Sequence, residues 1–158
     1  MGSGFDWSDV WKRLMTDVHG IAGQIGRIRE KANALIEKEL KDRGIQGIVP
    51  AHGPVLAFLL RQNKPVPIKA VVESVRRVKS TVTVTIGTLE KHGYVRKLPC
   101  ETDARVAYVE LTPKGRRLRK DFDEISEILL SKLYGDMSPR DRGRVAELLE
   151  NIEKNLSD

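Results

Sequence analysis

Arg76, Arg77 and Lys79 stand directly ahead of Ser80-Thr81-Val82-Thr83-Val84, and Thr88, Arg96, Lys97 and Arg105 follow further along. Such a set offers guanidinium and ammonium groups to phosphate-like anions, hydroxyls to polar edges and, in Val84, an apolar group able to meet a methyl. The surrounding charge is lopsided. Residues 61–120 carry 15 Lys/Arg against 5 Asp/Glu and the rest of the chain 13 against 17, although the formal net charge is only +6. A solvated surface usually mixes the signs, so this concentration points to an anionic partner. Nucleic acid is the commonest such partner; acidic protein and anionic lipid are the alternatives.

Other chemistries find little support. His19, His52 and His92 are widely scattered and share no metal-ligand spacing with Cys100, the single cysteine. His92 suits a helix C-terminus, where the dipole favours it. One cysteine excludes an internal disulfide framework and fits a reducing cytoplasm. Lys97 would favour a Cys100 thiolate while Glu101 and Asp103 would oppose it, so an incidental thiol is expected over a redox switch. Nucleophile elbow, phosphate loop and zinc-protease signatures are absent, and neither enzymatic activity nor a cofactor is expected. No apolar run approaches the roughly 18 residues of a membrane span, and no secretory signal opens the chain.

The elements that must position these groups can be read from periodicity. Thr81 to Ile86 is β-branched and alternates with period two, which favours a strand. Ser80 as a helix start, Val82, Ile86 and Leu89 at steps of four and three, and the close Leu89-Glu90-Lys91-His92-Gly93 favour a helix, which is the expectation. With that seam inward, Ser80, Thr81, Thr83, Val84, Gly87 and Thr88 face outward. The β-branched run and Gly87 make this helix intrinsically weak, so packing must hold it. Upstream, a helix over 50–61 turns Val55, Leu56, Leu59 and Leu60 inward. Pro67 opens another that runs to about Ser74 and buries Ile68, Val71, Val72 and Val75. Residues 76–79 form the intervening turn. Tyr94–Leu98 and Val106–Leu111 read as a hairpin with a polar tip. Thr112-Pro113 caps a helix carrying Leu118, Phe122, Ile125, Leu129 and Leu133, and Ser138-Pro139 starts the last one, with Val145, Leu148, Leu149, Ile152 and Leu156 on one side.

The first helix supplies the strongest sign of assembly. Trp7, Trp11, Leu14, Val18, Ile21, Ile25, Ile28, Ala32 and Leu35 form an apolar seam ending near Arg43-Gly44, with a kink or close helix approach expected at glycines 20, 23 and 26. Met15, Ala22 and Ile36 widen that face beyond what one small domain covers. A homodimer is therefore expected, built on Trp7, Trp11, Leu14, Val18, Ile21 and Ile25 together with Leu129, Leu133, Leu149 and Ile152.

From about Ile48 to Arg119 the chain resembles the MarR family of winged-helix transcription regulators. Ser80-Thr-Val-Thr83, Leu89-Glu-Lys-His-Gly-Tyr-Val-Arg96, Asp103-Ala-Arg105 and Leu111-Thr-Pro-Lys-Gly115 carry the resemblance in this order and spacing. It implies a triangular homodimer whose recognition helices read the halves of a pseudo-palindromic double-stranded operator. In related proteins an aspartate at the position of Asp103 holds a wing arginine that reaches the minor groove, which gives those roles to Asp103 and Arg105. Arginine is common at the positions of Val84 and Thr88, and neither is basic here. Base reading would then lean on methyl contacts, hydroxyls and DNA shape. Ala104 replaces a second arginine frequent at the wing.

The expected fold is thus mainly α with a small β-hairpin, a winged helix-turn-helix between long N- and C-terminal dimerisation helices. Residues 5–47 form the first dimerisation helix, 48–112 the DNA-binding lobe and 113–158 the closing helices. DNA contacts are expected from Arg76, Arg77, Lys79, Ser80, Thr81, Thr83, Val84, Thr88, Arg96, Lys97 and Arg105. The family often holds ligands between the dimerisation helices and the lobe, so a small-molecule effector is implied, with Trp7, Trp11, His19 and Phe58 either lining such a cleft or packed in the core. The leading function is a cytoplasmic, sequence-specific transcriptional regulator of double-stranded DNA, expected to be a ligand-responsive repressor acting as a homodimer and not an enzyme. The alternative is a winged-helix module that coats DNA without sequence choice or binds protein.

Overall fold

The computed structural model describes residues 20–99 and 106–157. Trp7, Trp11, Leu14, Val18 and His19, and the wing-tip residues Cys100, Asp103, Ala104 and Arg105, lie outside them. The order is α1 (Ile21–Asp42), a 3-10 turn (Pro50–His52), α2 (Gly53–Leu60), β1 (Val66–Pro67), α3 (Ile68–Val75), α4 (Lys79–Lys91), β2 (Val95–Pro99), β3 (Ala107–Leu111), α5 (Pro113–Tyr134) and α6 (Pro139–Asn155).

The ambiguous segment is helix. Val82, Ile86 and Leu89 are almost fully buried, and Thr85 joins them, so the period of 3.6 overrides the β-branched alternation. Its start differs from expectation. Val78 is the cap residue and Ser80 lies inside the first turn with no capping bond, while Lys79, expected in the turn, is the first helical residue. Pro67 is also displaced, from the first turn of α3 to the residue before it. There it pairs with Tyr108 in a short strand that the sequence reading did not foresee, making a three-stranded antiparallel sheet of order β1-β3-β2. Proline is tolerated because β1 is an edge.

Helix ends are built by backbone rules. At the end of α1, Ile45 N donates to Leu40 O and Gly44 N to Lys41 O, both at 2.9 Å, around a left-handed Gly44. The end of α4 repeats this, with Tyr94 N to Leu89 O and Gly93 N to Glu90 O at 2.9 Å around Gly93 at φ 75°. This closing motif turns the chain straight from helix into β2. Thr112 caps α5 by accepting from Gly115 N, and Ser138 caps α6 by accepting from Asp141 N, both as expected.

The core gathers Leu56 and Leu59 of α2, Val71 of α3, the inner face of α4, Val95 and Val109 of the sheet, and Leu118 and Ile125 of α5. Helix α1 joins it through Leu40 and is tied to α5 by Arg43, which pairs with Glu39 and reaches Asp121 at 3.6 Å and Glu124 at 3.5 Å. Helix α6 has no fully buried residue; Ile152 is half-buried.

Candidate nucleic-acid interface

Contacts between His92, Gly93 and Tyr94 on one side and Thr112, Lys114 and Gly115 on the other explain why two distant motifs occur together. Thr112 Oγ1 donates to Gly93 O at 2.6 Å and Thr112 N to Tyr94 O at 3.0 Å, while Lys114 Nζ donates to His92 O at 2.7 Å and sits 4.4 Å from the Tyr94 ring centre. Gly115 closes the node: a Cβ there would lie 2.1 Å from the Tyr94 carbonyl oxygen. Tyr94 Oη donates to Gln46 O at 2.7 Å, and burial pushes its phenol above the usual range. These residues fix the C-terminal end of α4 and leave its other end free to meet a partner.

That face is as expected at its centre. Ser80, Thr81, Thr83 and Val84 are exposed, whereas Gly87 and Thr88 are half-buried. Arg76 and Arg77 are exposed in the three-residue turn before α4, and among the described residues neither meets a carboxylate. Arg76 adopts φ 49°, ψ 42°, the left-handed position usually given to glycine. The turn therefore keeps its path by straining an arginine.

Two wing cations are engaged within the lobe. Arg96 bonds Glu110 through Nε at 2.6 Å and Nη2 at 2.5 Å. Lys97 Nζ lies 2.9 Å from Glu90, whose other carboxylate oxygen accepts the Lys97 amide at 3.0 Å. The Lys97 ammonium, then its amide, hold the Glu90 carboxyl below the usual carboxylate range. Glu90 thus ties β2 to α4, a role the sequence reading missed; the opposite charges seven positions apart were its only signal. A groove also runs between α3, the start of α4 and β3, lined by Lys69, Val72, Lys79, Thr83, Val106 and Ala107. Lys69 was not anticipated there.

Away from α4, Ile21, Leu133 and Leu149 are exposed, while Ile25, Leu129 and Ile152 are half-buried. A cavity of about 210 Å³ lies between α1, the start of α2 and α5, walled by Ile36, Leu40, Ile48, Phe122, Ile125 and Leu129 among others. Of its lining side chains only Ser126 is polar, and its hydroxyl donates to Phe122 O at 2.7 Å. Phe58 packs against the core rather than lining this space, the second of its two readings. Among the described residues no group of His, Cys, Asp and Glu could hold a metal, and no helix is long and apolar enough to cross a membrane.

Residues 56–107 match the MarR family profile, from α2 through the recognition helix to the wing. The chain is 23% identical over 145 residues to YybA, an uncharacterized HTH-type transcriptional regulator of Bacillus subtilis (strain 168), covering 88% of this chain and 90% of YybA. A MarR transcriptional regulator from Methanosarcina mazei Go1 superposes with TM-score 0.68 at 25% identity, over 85% of this chain and 94% of its own. BpsR of Bordetella bronchiseptica, whose DNA binding is regulated by 6-hydroxynicotinic acid, has the same fold, with TM-score 0.71 at 21% identity over 86% and 94%. With a left-handed glycine joining α4 to β2 and a capped helix closing the sheet, the chain has the fold of these winged-helix regulators, and its segment 56–107 is similar to the MarR family.

Proposed function

We propose that the protein is a cytoplasmic repressor that binds a specific double-stranded operator as a homodimer and releases it on binding a small molecule. The observation that carries this reading is the exposed outward face of α4, preceded by Arg76 and Arg77, whose guanidiniums meet no carboxylate among the described residues. Arg76, Arg77 and Lys79 meet phosphates; Ser80, Thr81, Thr83, Val84 and Thr88 enter the major groove. Arg96 and Lys97 lie at the base of the wing, and Arg105, held by Asp103, takes its tip to the minor groove.

Residues 5–47 and 113–158 form the dimer and 48–112 the DNA-binding lobe. The exposed apolar groups of α1, α5 and α6 support that assembly, joined by Trp7, Trp11, Leu14 and Val18 from the first helix. Two recognition helices would then address half-sites about 34–36 Å apart. The apolar cavity between α1, α2 and α5 is the place for an effector: a ligand there would shift α1 against α5 and favour a spacing that no longer fits DNA.

The test uses the full chain and a duplex selected from a random library, compared with a scrambled duplex of equal composition across a salt series. Preference for the selected duplex at every salt supports a sequence-specific regulator. A second reading, an architectural factor, draws on the absence of arginine, lysine, asparagine and glutamine from Ser80 through Thr88. It predicts equal affinity for both duplexes.

A further inference from the structure

The outward face of α4 has an unusual chemistry for a surface that must tell base pairs apart. Val84 lies at its centre, 69% exposed, with Ser80 and Thr81 one turn before it and Gly87 and Thr88 one turn after. Side chains that bond purine edges in pairs are missing from this stretch, so guanine and adenine cannot be read here in that way. The threonines are less polar than their composition suggests. Thr83 Oγ1 donates to Lys79 O at 2.9 Å and Thr88 Oγ1 to Val84 O at 3.1 Å. Those bonds engage the hydroxyl protons inside the helix and leave methyl groups and acceptor lone pairs for a partner. Gly87 adds no Cβ, and nothing lies within 4 Å of where one would be, so the backbone there can be approached closely.

An apolar centre preceded by exposed guanidiniums needs a partner that is anionic at its edges and apolar in its middle. The major groove of duplex DNA meets both needs, because its rims are phosphates and the C5-methyl of thymine is the apolar group on its floor. We infer that α4 recognises its half-site through thymine methyl groups and that Val84 is the specificity-determining residue, seated on the methyl of one A·T pair. This rests on the DNA-binding reading above and deepens it. Arg76 and Arg77 position the helix without choosing sequence, and the choice is made by apolar contact.

The test replaces thymine by deoxyuridine, which removes one methyl and leaves base pairing intact. The full chain is used to select a duplex from a randomised library. That duplex is then resynthesised with deoxyuridine at one half-site position at a time, symmetrically in both halves. At one position affinity should fall roughly four-fold in each half-site, the effect of one buried methyl group. Val84→Ala should bind the thymine duplex about as weakly as the unsubstituted protein binds the deoxyuridine duplex, and should be indifferent to that replacement. The substitution lies on an exposed face and leaves the fold intact, which circular dichroism checks.

Equal affinity for thymine and deoxyuridine duplexes at every position would overturn the inference, as would selected half-sites whose informative pairs are all G·C. A deoxyuridine penalty undiminished in Val84→Ala would overturn the assignment to Val84. Failure to bind any duplex at low salt would have a different meaning, since it removes the DNA-binding reading itself.

Discussion

At the scale of single residues, backbone geometry separates positions that hold the fold from positions that act. Gly115 is fixed by its surroundings: a methyl group there would collide with the Tyr94 carbonyl, a backbone atom that cannot swing aside. Gly115→Ala should therefore destabilise the protein by about 2 kcal/mol or more, read from urea unfolding. Arg76 is the converse. Its left-handed conformation suits glycine, so Arg76→Gly should raise stability by about 1 kcal/mol while making the salt dependence of DNA binding shallower by roughly one unit. The motif Leu111-Thr112-Pro113-Lys114-Gly115 was legible as a helix start. That it locks onto the end of α4 was not, because the Thr112 bond to Gly93 spans nineteen residues. His52 carries a pH dependence. Burial, and then the charge of His92, push its imidazole below the ordinary value of 6.5. A depressed value means the neutral ring is preferred in the folded protein, so its contribution is complete above pH 6.5 and is lost as pH falls through the lowered value. Stability should decline as pH falls from 6.5 to that lowered value, and His52→Gln should flatten the decline in thermal melts taken across the pH range.

At the scale of elements, legibility depended on whether local pattern and tertiary packing agreed. Helices α5 and α6 were clear because a capping hydroxyl and a first-turn proline mark each start. The strand-like run of α4 was harder, and burial of Val82, Ile86 and Leu89 decides it. Strand β1 escaped notice for a physical reason. Two residues have no period to read, and their pairing exists only because β3 passes beside them. Helix α4 also poses a conflict between stability and function. Gly87 weakens it with no steric need, since a Cβ would meet nothing within 4 Å. Gly87→Ala should stabilise the protein by up to about 1 kcal/mol, measured by chemical denaturation, yet weaken binding to the selected duplex by placing a methyl group where the groove approaches. Unchanged affinity in that variant would place Gly87 outside the contact.

At the scale of the whole molecule, a single chain leaves α6 without support. A helix of 17 residues with no fully buried side chain gains little from tertiary packing, and isolated helices of that length are marginal in water. Leu148, Leu149 and Leu156 are nonetheless apolar and exposed, Leu156 at 82%, in company with Ile21, Leu130 and Leu133 on α1 and α5. Exposed apolar groups on three helices would suit an interface, and the helices that carry them flank the lobe on both sides in sequence. A second copy of the chain would cover them, and then folding and association are linked: anything that binds the native state but not the unfolded one raises apparent stability with its concentration. The melting temperature should accordingly rise with protein concentration. Ile25→Asp or Leu149→Asp should yield a monomer in sedimentation velocity with an earlier, concentration-independent melt. Such a monomer retains α4 and its flanking arginines, so it should still bind DNA weakly through phosphates while losing its preference for paired half-sites. A melt independent of concentration in the unsubstituted protein, together with monomeric sedimentation, would mean that the exposed apolar surface serves a different partner.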